Sequence, residues 1–411
     1  MSLVGTWMTR VATSWLIYRL THSAFLLGVA GFAGQLPLFF LAPIAGVWVD
    51  RWDRHRTLVW TQILSLVQSF ALAALALTGV IQVWHVILLM VLQGFVNAFD
   101  MPARQAFVVQ MVDDRADLPN AIALNSSLVN AARLVGPAIG GVLIAQVGEG
   151  YCFLIDGISY MAVIASLLAM RVKPSVARVH TTKVMEELIE GWRYVSRSVP
   201  IRSILLLLAL VSLLGMPYTV LMPVFAAGVL HGGPHTLGIL MASSGVGALA
   251  GALALAGRHS VIGLGRVIPV SAATFGVALI GFGLSKWVWL SVCMLVATGF
   301  GMMRQMAASN TILQTIVEDE KRGRVMSFYA MAFAGMSPFG SLLAGVLAAR
   351  FGAPLTVAVS GGLCAAGALL FARQLPRLRE FIRPVYKQLG ILPSPDSETA
   401  GASVLESASH N

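Results

Sequence analysis

Twelve stretches of about twenty largely apolar residues follow one another along the chain, and no other feature restricts its fold so severely. Read by hydropathy, they are Ser2–Leu20, Leu26–Trp48, Leu58–Val80, Val83–Met101, Pro119–Val147, Tyr151–Val172, Ile204–Ala226, Thr236–Gly257, Val267–Ser285, Trp287–Ser309, Val325–Ala349 and Ala353–Ala372. A helix needs about 20 apolar residues to cross a hydrocarbon core of about 30 Å, so each stretch has the length of one crossing. Lipid offers backbone amides no hydrogen-bond partner, and a helix satisfies them internally. Only 11% of the 411 residues are charged, against about 25% in a soluble domain. So few charges cannot coat a soluble surface. That excludes a soluble enzyme, a disordered chain and a nucleic-acid-binding protein. The expected fold is an all-α membrane protein with twelve transmembrane helices.

The basic residues set its orientation. Of 28 lysines and arginines, 23 fall on one side of the predicted crossings and three (Arg19, Lys286, Arg350) on the other, while Arg10 and Arg133 lie within crossings. Cytoplasmic loops are the basic ones, so both termini are expected in the cytoplasm of a multi-pass cell (inner or plasma) membrane protein. The net charge of +10 is then a topology signal and a contact for anionic lipids. The longest internal loop carries Met185, Leu188, Ile189, Trp192 and Val195 at helical spacing, the pattern of an amphipathic helix at the interface. It divides the chain into six crossings over 1–172, a linker over 173–203, six crossings over 204–372 and a tail over 373–411 whose Ser/Ala/Glu/Thr-rich end is expected to be disordered. Gly136-Pro137-Ala138-Ile139-Gly140-Gly141 in crossing five faces Ser337-Pro338-Phe339-Gly340 in crossing eleven, an offset near two hundred residues with the same sense. Parallel six-helix repeats of this kind are one architecture of secondary transporters. Cys152, Cys293 and Cys364 all lie in apolar runs and form neither a disulfide framework nor a metal site. Ser2–Leu20 is semi-polar and unlike the core of a signal peptide.

The loop after crossing two reads Gly46-Val47-Trp48-Val49-Asp50-Arg51-Trp52-Asp53-Arg54-His55-Arg56. It resembles the signature of the major facilitator superfamily, Gly-x-x-x-Asp-Arg-x-Gly-Arg-basic, with Asp53 where glycine is usual. Arg133-Leu-Val-Gly136-Pro137-Ala-Ile-Gly140-Gly141 resembles the antiporter motif of the same superfamily, with Ala132 in place of its leading glycine. Together with Phe99-Asp100-Met-Pro102-Ala103-Arg104, Glu318-Asp319-Glu-Lys-Arg322-Gly323-Arg324 and Arg379-Glu-Phe-Ile-Arg383-Pro384, these motifs are similar to the enterobactin-exporter-like branch from about Val4 to Leu392. The resemblance implies two six-helix bundles that rock about a central cavity. It also implies fifteen to twenty further residues ahead of the equivalent of Ser2.

On that reading the chain is a secondary active transporter that exports a siderophore-like or hydrophobic drug-like molecule by proton antiport, as a monomer, without cofactor or metal. Gly46, Asp50, Arg51, Arg54 and Arg56 form a cytoplasmic gate with Arg322, Gly323 and Arg324 as its counterpart. Gly136, Pro137, Gly140 and Gly141 allow close helix packing. Charges within crossings are costly and need a partner or a wet cavity. Arg10, Asp100, Arg133, Asp156 and Arg304, with the neutral Gln35 and Asn125, are the candidates for coupling and the substrate cavity. An Arg133–Asp156 pair is the expected coupling pair, and Arg10 a candidate contact for an anionic substrate. The competing reading of Asp100 and Asp156 is a static structural ion pair. No phosphate-binding Gly-x-x-x-x-Gly-Lys-Ser/Thr loop, His-Glu-x-x-His or Gly-x-Ser-x-Gly occurs, so neither an ATP motor nor a common hydrolase is encoded. An importer, a lipid-translocating permease or a truncated non-transporting paralogue would use the same fold.

Overall fold

The computed structural model describes residues 2–111, 114, 117–170, 184–258 and 260–388. Arg115, the linker residues 171–183 and the tail 389–411, with the disorder expected at its end, lie outside the described residues, as do the side chains of Gly46, Asp50 and Arg51. Every described element is helical. In order they are α1 (Ser2–Thr21), α2 (Ala24–Arg51), α3 (Arg54–Leu77), α4 (Val83–Gln110), α5 (Leu118–Val147), α6 (Glu149–Ala169), α7 (Val184–Arg197), α8 (Val199–Leu210), α9 (Tyr218–Val224), α10 (Pro234–Ala256), α11 (Leu264–Leu284), α12 (Val288–Ile316), α13 (Asp319–Ala330), α14 (Ser337–Phe351) and α15 (Ala353–Gln388). Crossing seven is α8 and α9, joined by a π-helical turn at Val211–Gly215 and followed by another at Phe225–Val229; crossing eleven is α13 and α14 joined by a π-helical turn at Met331–Gly335.

Among the described residues eleven helical segments are long and apolar enough to span a membrane. The twelfth is α1, which carries Arg10 and Arg19 and falls short on composition. It does so because its surroundings are protein rather than lipid: Met8, Val11, Ala12, Leu16 and Ile17 are all buried, and it packs on α5 and α6. Hydropathy marked where lipid begins rather than where the helix stops. Thus α4 continues nine residues past Met101 to Gln110, and α15 runs on unbroken to Gln388.

The helices alternate in direction, so one end of the molecule carries Arg54, Arg56, Arg104, Arg322 and Arg324 (the basic end) and the other the tight turns after α1, α3, α5 and α14 (the far end). Two of those turns are matched across the repeat: Gly148 between α5 and α6 has φ +88° and Gly352 between α14 and α15 has φ +83°, a region glycine enters without steric cost. In the first half α1 packs on α5 and α6, α3 on α6 and α4, and α2 on α4; in the second α10 packs on α12, and α11 on α12 and α15. The halves meet along two seams, α5 with α10 and α2 with α14. Hydroxyls inside the helices are satisfied locally, as where Thr13 donates to the Thr9 carbonyl, Ser243 to Ile239 and Thr298 to Met294.

Candidate functional site

Both seams close on glycine at the far end. A Cβ built on Gly141 of α5 would stand 2.8 Å from the Gly238 Cα of α10 and 2.8 Å from the Pro234 carbonyl oxygen. Its counterpart on Gly345 of α14 would stand 2.7 Å from the Gly28 Cα of α2 and 3.0 Å from the Ala24 carbonyl oxygen. The two contacts are the same contact repeated. No side chain separates the helices there, so their backbones touch. Toward the basic end the seam is absent. No described residue of α5 from Leu118 to Ala131 is buried, and Asn125 is exposed on that stretch. The halves are therefore in backbone contact at the far end, and the buried part of α5 does not reach the basic end.

The rest of the glycine motif seats α1. A Cβ on Gly136 would be 2.5 Å from the Trp7 Cβ, and one on Gly140 3.1 Å from the Met8 Cγ. In the second half Gly340 takes crossing seven in the same way, lying against the Leu213 carbonyl. Crossing five thus packs closely on two faces, holding α1 on one side and α10 on the other.

Asp156 of α6 is buried beside α1. Its Oδ2 accepts hydrogen bonds from the Thr9 hydroxyl of α1 at 2.8 Å and the Ser69 hydroxyl of α3 at 3.2 Å. Its Oδ1 has no hydrogen-bond partner and lies where Gly5 leaves room, since a Cβ on Gly5 would be 2.4 Å away. The expected pair with Arg133 does not form. Sequence proximity of crossings five and six suggested it, but α6 turns Asp156 toward α1 and α3, while Arg133 turns toward Trp7. The guanidinium carbons of Arg10 and Arg133 stand 4.6 Å and 5.1 Å from the Trp7 ring centroid. Arg10 is exposed, and the Arg133 Nε is buried with no hydrogen-bond partner.

Asp100 of α4 is fully engaged. Thr61 and Gln62 of α3 donate to its Oδ1 at 2.9 Å and 2.8 Å, and Arg104 donates to Oδ2 at 2.5 Å. These contacts clasp α3 to α4. Gln35 bonds within its own helix, to the Gly31 carbonyl. Arg304 of α12 lies over the Phe300 ring at 5.1 Å, with its Nε buried and without a hydrogen-bond partner.

At the basic end, Gly46, Asp50 and Arg51 lie in the last two turns of α2, and Arg54 and Arg56 open α3. Asp53, the departure from the signature, is the N-cap of α3: its carboxylate accepts from the Arg56 backbone amide at 2.9 Å. Its sequence signal was an N-capping residue type directly before a helix, which the missing glycine obscured. His55 Nε2 pairs with the Leu167 carbonyl at the end of α6, 2.7 Å away. Arg324 of α13 meets Glu190 of the linker helix α7 at 2.8 Å, Trp192 packs against Phe328, and Lys321 lies 4.8 Å from the Tyr194 ring centroid. Arg322 and Gly323 are exposed on the same helix. So α7 is fastened to crossing eleven.

Residues 1–387 match the family described as transmembrane secretion effector, within the major facilitator superfamily. The chain belongs to that family. This secretion-effector-family protein is accordingly a multi-pass membrane transporter and not an enzyme. It is 28% identical to the staphyloferrin A transporter of Staphylococcus aureus over 87% of its own length and 89% of that protein's. It is 28% identical to the multidrug efflux pump Tap of Mycolicibacterium fortuitum, covering 92% and 93% of the two chains. To macrolide efflux protein A of Streptococcus pyogenes it is 25% identical over 88% and 90%. Among solved structures it shares its fold with a bacterial homologue of the human lysosomal transporter Spinster, inward-facing and unoccupied, at 14% identity and a TM-score of 0.66 over 96% of each chain. The xylose transporter XylE of E. coli, inward open, superposes with a TM-score of 0.67 at 11% identity over 90% of this chain and 92% of that one.

Proposed function

We propose that this transporter exports a siderophore-like or drug-like small molecule across the cell membrane by proton antiport, with both termini in the cytoplasm. Two features support this reading: relatives are named as efflux pumps, and the basic residues gathered at one end favour a cytoplasmic position for that end. The observation that carries the coupling is Asp156. It is a buried carboxylate with no ion-pair partner among the described residues, and it holds three helices through hydroxyls alone. As a carboxylate it accepts from Thr9 and Ser69. A proton taken up on the unpartnered Oδ1 leaves Oδ2 able to accept from both hydroxyls, but it removes the charge that strengthens those bonds and adds a donor beside Gly5 of α1. Thr9 is next to Arg10 and two residues from Trp7, so any shift of α1 at Thr9 is felt in the cavity. Proton occupancy at Asp156 then biases the two arrangements of α1, which is the differential interaction that coupling requires.

The test is efflux in inverted membrane vesicles with and without a protonophore, for wild type and Asp156→Asn. Asparagine keeps an acceptor oxygen for Thr9 but cannot exchange a proton. The variant should retain substrate counterflow, which needs no gradient, and lose protonophore-sensitive uphill transport. Uphill transport at the wild-type rate in Asp156→Asn would remove Asp156 from the mechanism.

A further inference from the structure

The charge of the Arg10–Trp7–Arg133 cluster takes no part in the contacts of Asp100 or Asp156. No carboxylate among the described residues lies within ion-pair distance of either guanidinium: Asp100 is taken by Arg104, Thr61 and Gln62, and Asp156 by Thr9 and Ser69. Each guanidinium carbon is within 5.1 Å of the Trp7 ring centroid. The two charges are therefore closer together than the ~10 Å over which 0.1 M salt screens. Two like charges held that close inside a membrane protein are costly unless an anion joins them.

The cluster is also built. Trp7 cannot drift, because its Cβ fills the notch that Gly136 leaves in α5. Its ring then fixes both guanidiniums by cation–π contact. Arg10 is exposed on α1, and the Arg133 Nε is buried and carries a donor that nothing among the described residues accepts. The backbone of Arg133 borders Gly245 of α10, and Arg133 is within electrostatic reach of Tyr218, whose hydroxyl is bonded to Ser244 at 2.6 Å. The cluster thus lies where α1, α5, α9 and α10 come together.

We propose that Arg10 and Arg133, held by Trp7, form the anion-binding subsite of the transport path, and that the exported molecule is a small anion bearing two or more carboxylates. This rests on the exporter reading above. Guanidinium forks bind carboxylates bidentately, and two forks on one ring, no more than about 10 Å apart, favour a ligand with two such groups. A cationic drug meets like charge at the same place and is disfavoured.

Equilibrium binding to the purified full chain in phosphatidylcholine nanodiscs tests this without requiring transport. The probes are citrate, as a tricarboxylate, and rhodamine 6G, as a cation. Citrate should bind saturably to wild type. Its affinity should fall at least tenfold in Arg10→Gln and in Arg133→Gln, and less in Arg133→Lys, while rhodamine 6G binding does not weaken. Absence of citrate binding to wild type, unchanged citrate affinity in both glutamine variants, or parallel loss of both probes overturns the assignment. Displacement of citrate when phosphatidylglycerol is added to the nanodiscs also overturns it, in favour of a lipid headgroup. Citrate bound by both arginines but not moved by a pH gradient in proteoliposomes would sink the exporter reading and leave the subsite standing. Gradient-driven efflux of other molecules with no citrate binding would do the reverse.

Discussion

Replacing Gly141 by alanine adds one methyl group at the place where α5 and α10 touch, and the structure says what it meets. The new Cβ would lie 2.8 Å from the Gly238 Cα and 2.8 Å from the Pro234 oxygen, whereas ordinary contacts begin at 3.4 Å. Both neighbours are backbone, so no rotamer change can relieve the overlap; the helices must part by several tenths of an ångström. Overpacking of this kind costs about 1–3 kcal/mol. The cost falls only on the arrangement in which the far end is shut, because opening separates these helices. At about 1.4 kcal/mol per factor of ten, the ratio of far-end-open to far-end-closed molecules should rise roughly 5- to 140-fold. Gly28→Ala should act in the same direction through the other seam, where its Cβ would be 2.7 Å from the Gly345 Cα. Pulsed electron–electron spin distances between labels at Thr78 and Lys286, both exposed in far-end turns, would report the two populations, with the native cysteines replaced. Wild type should show mainly the short distance, and each variant a new long one. An unchanged short distance in both variants, with only a lower melting temperature, would mean that the seams are passive packing and not the far-end gate.

Other consequences are more local. Gly136→Ala should destabilise the fold by about 1–3 kcal/mol without shifting that distance distribution, because it pushes on Trp7 within one half; thermal unfolding and the same spin labels separate the two effects. Asp53→Ala should cost about 1 kcal/mol at the start of α3, seen as faster amide exchange over Arg54–Leu58, and Asp53→Asn should restore most of the protection. Thr61→Val, which removes a donor to the buried Asp100, should cost about 1–3 kcal/mol while leaving proton-coupled efflux intact; lost coupling at unchanged stability would return Asp100 to the transport path. Glu190→Gln should change global stability by less than about 1 kcal/mol, since Glu190 is exposed and Arg324 half-buried, yet loosen α7 from α13 in exchange measurements.

The twelve crossings were legible because lipid imposes one length and one composition on every span, and α1 was legible only as a semi-polar stretch because it is lined by protein. The helix ends past Met101 and Ala372 were not, since hydropathy ceases to speak where the membrane stops and the helix does not. The glycine motif in crossing five announced close packing, but not that Gly136 and Gly140 face α1 while Gly141 faces α10. Asp156 was visible as a charge in an apolar run. Its partners were not: Thr9 and Ser69 lie 147 and 87 residues away and are ordinary hydroxyls. Arg133 was assigned to Asp156 on nearness in sequence, and the rotation of one helix about its axis decided otherwise.

π-Helical turns interrupt crossings seven and eleven of the second half. Each holds one residue more than an α-helical turn would, and one residue is about 100° of rotation in an α-helix. Everything after the insertion is therefore turned by that angle relative to everything before it. The turn at Met331–Gly335 sets the direction in which α14 points Gly340 at Leu213 and Gly345 at Gly28; the turn at Val211–Gly215 does the same for Tyr218 on α9. The two turns lie against each other, with the Ser212 hydroxyl donating to the Phe333 carbonyl. They act as a pair of phase shifters. Deleting a single residue from either would leave a continuous apolar helix of nearly the same length while aiming the whole far-end half of that crossing at the wrong neighbours.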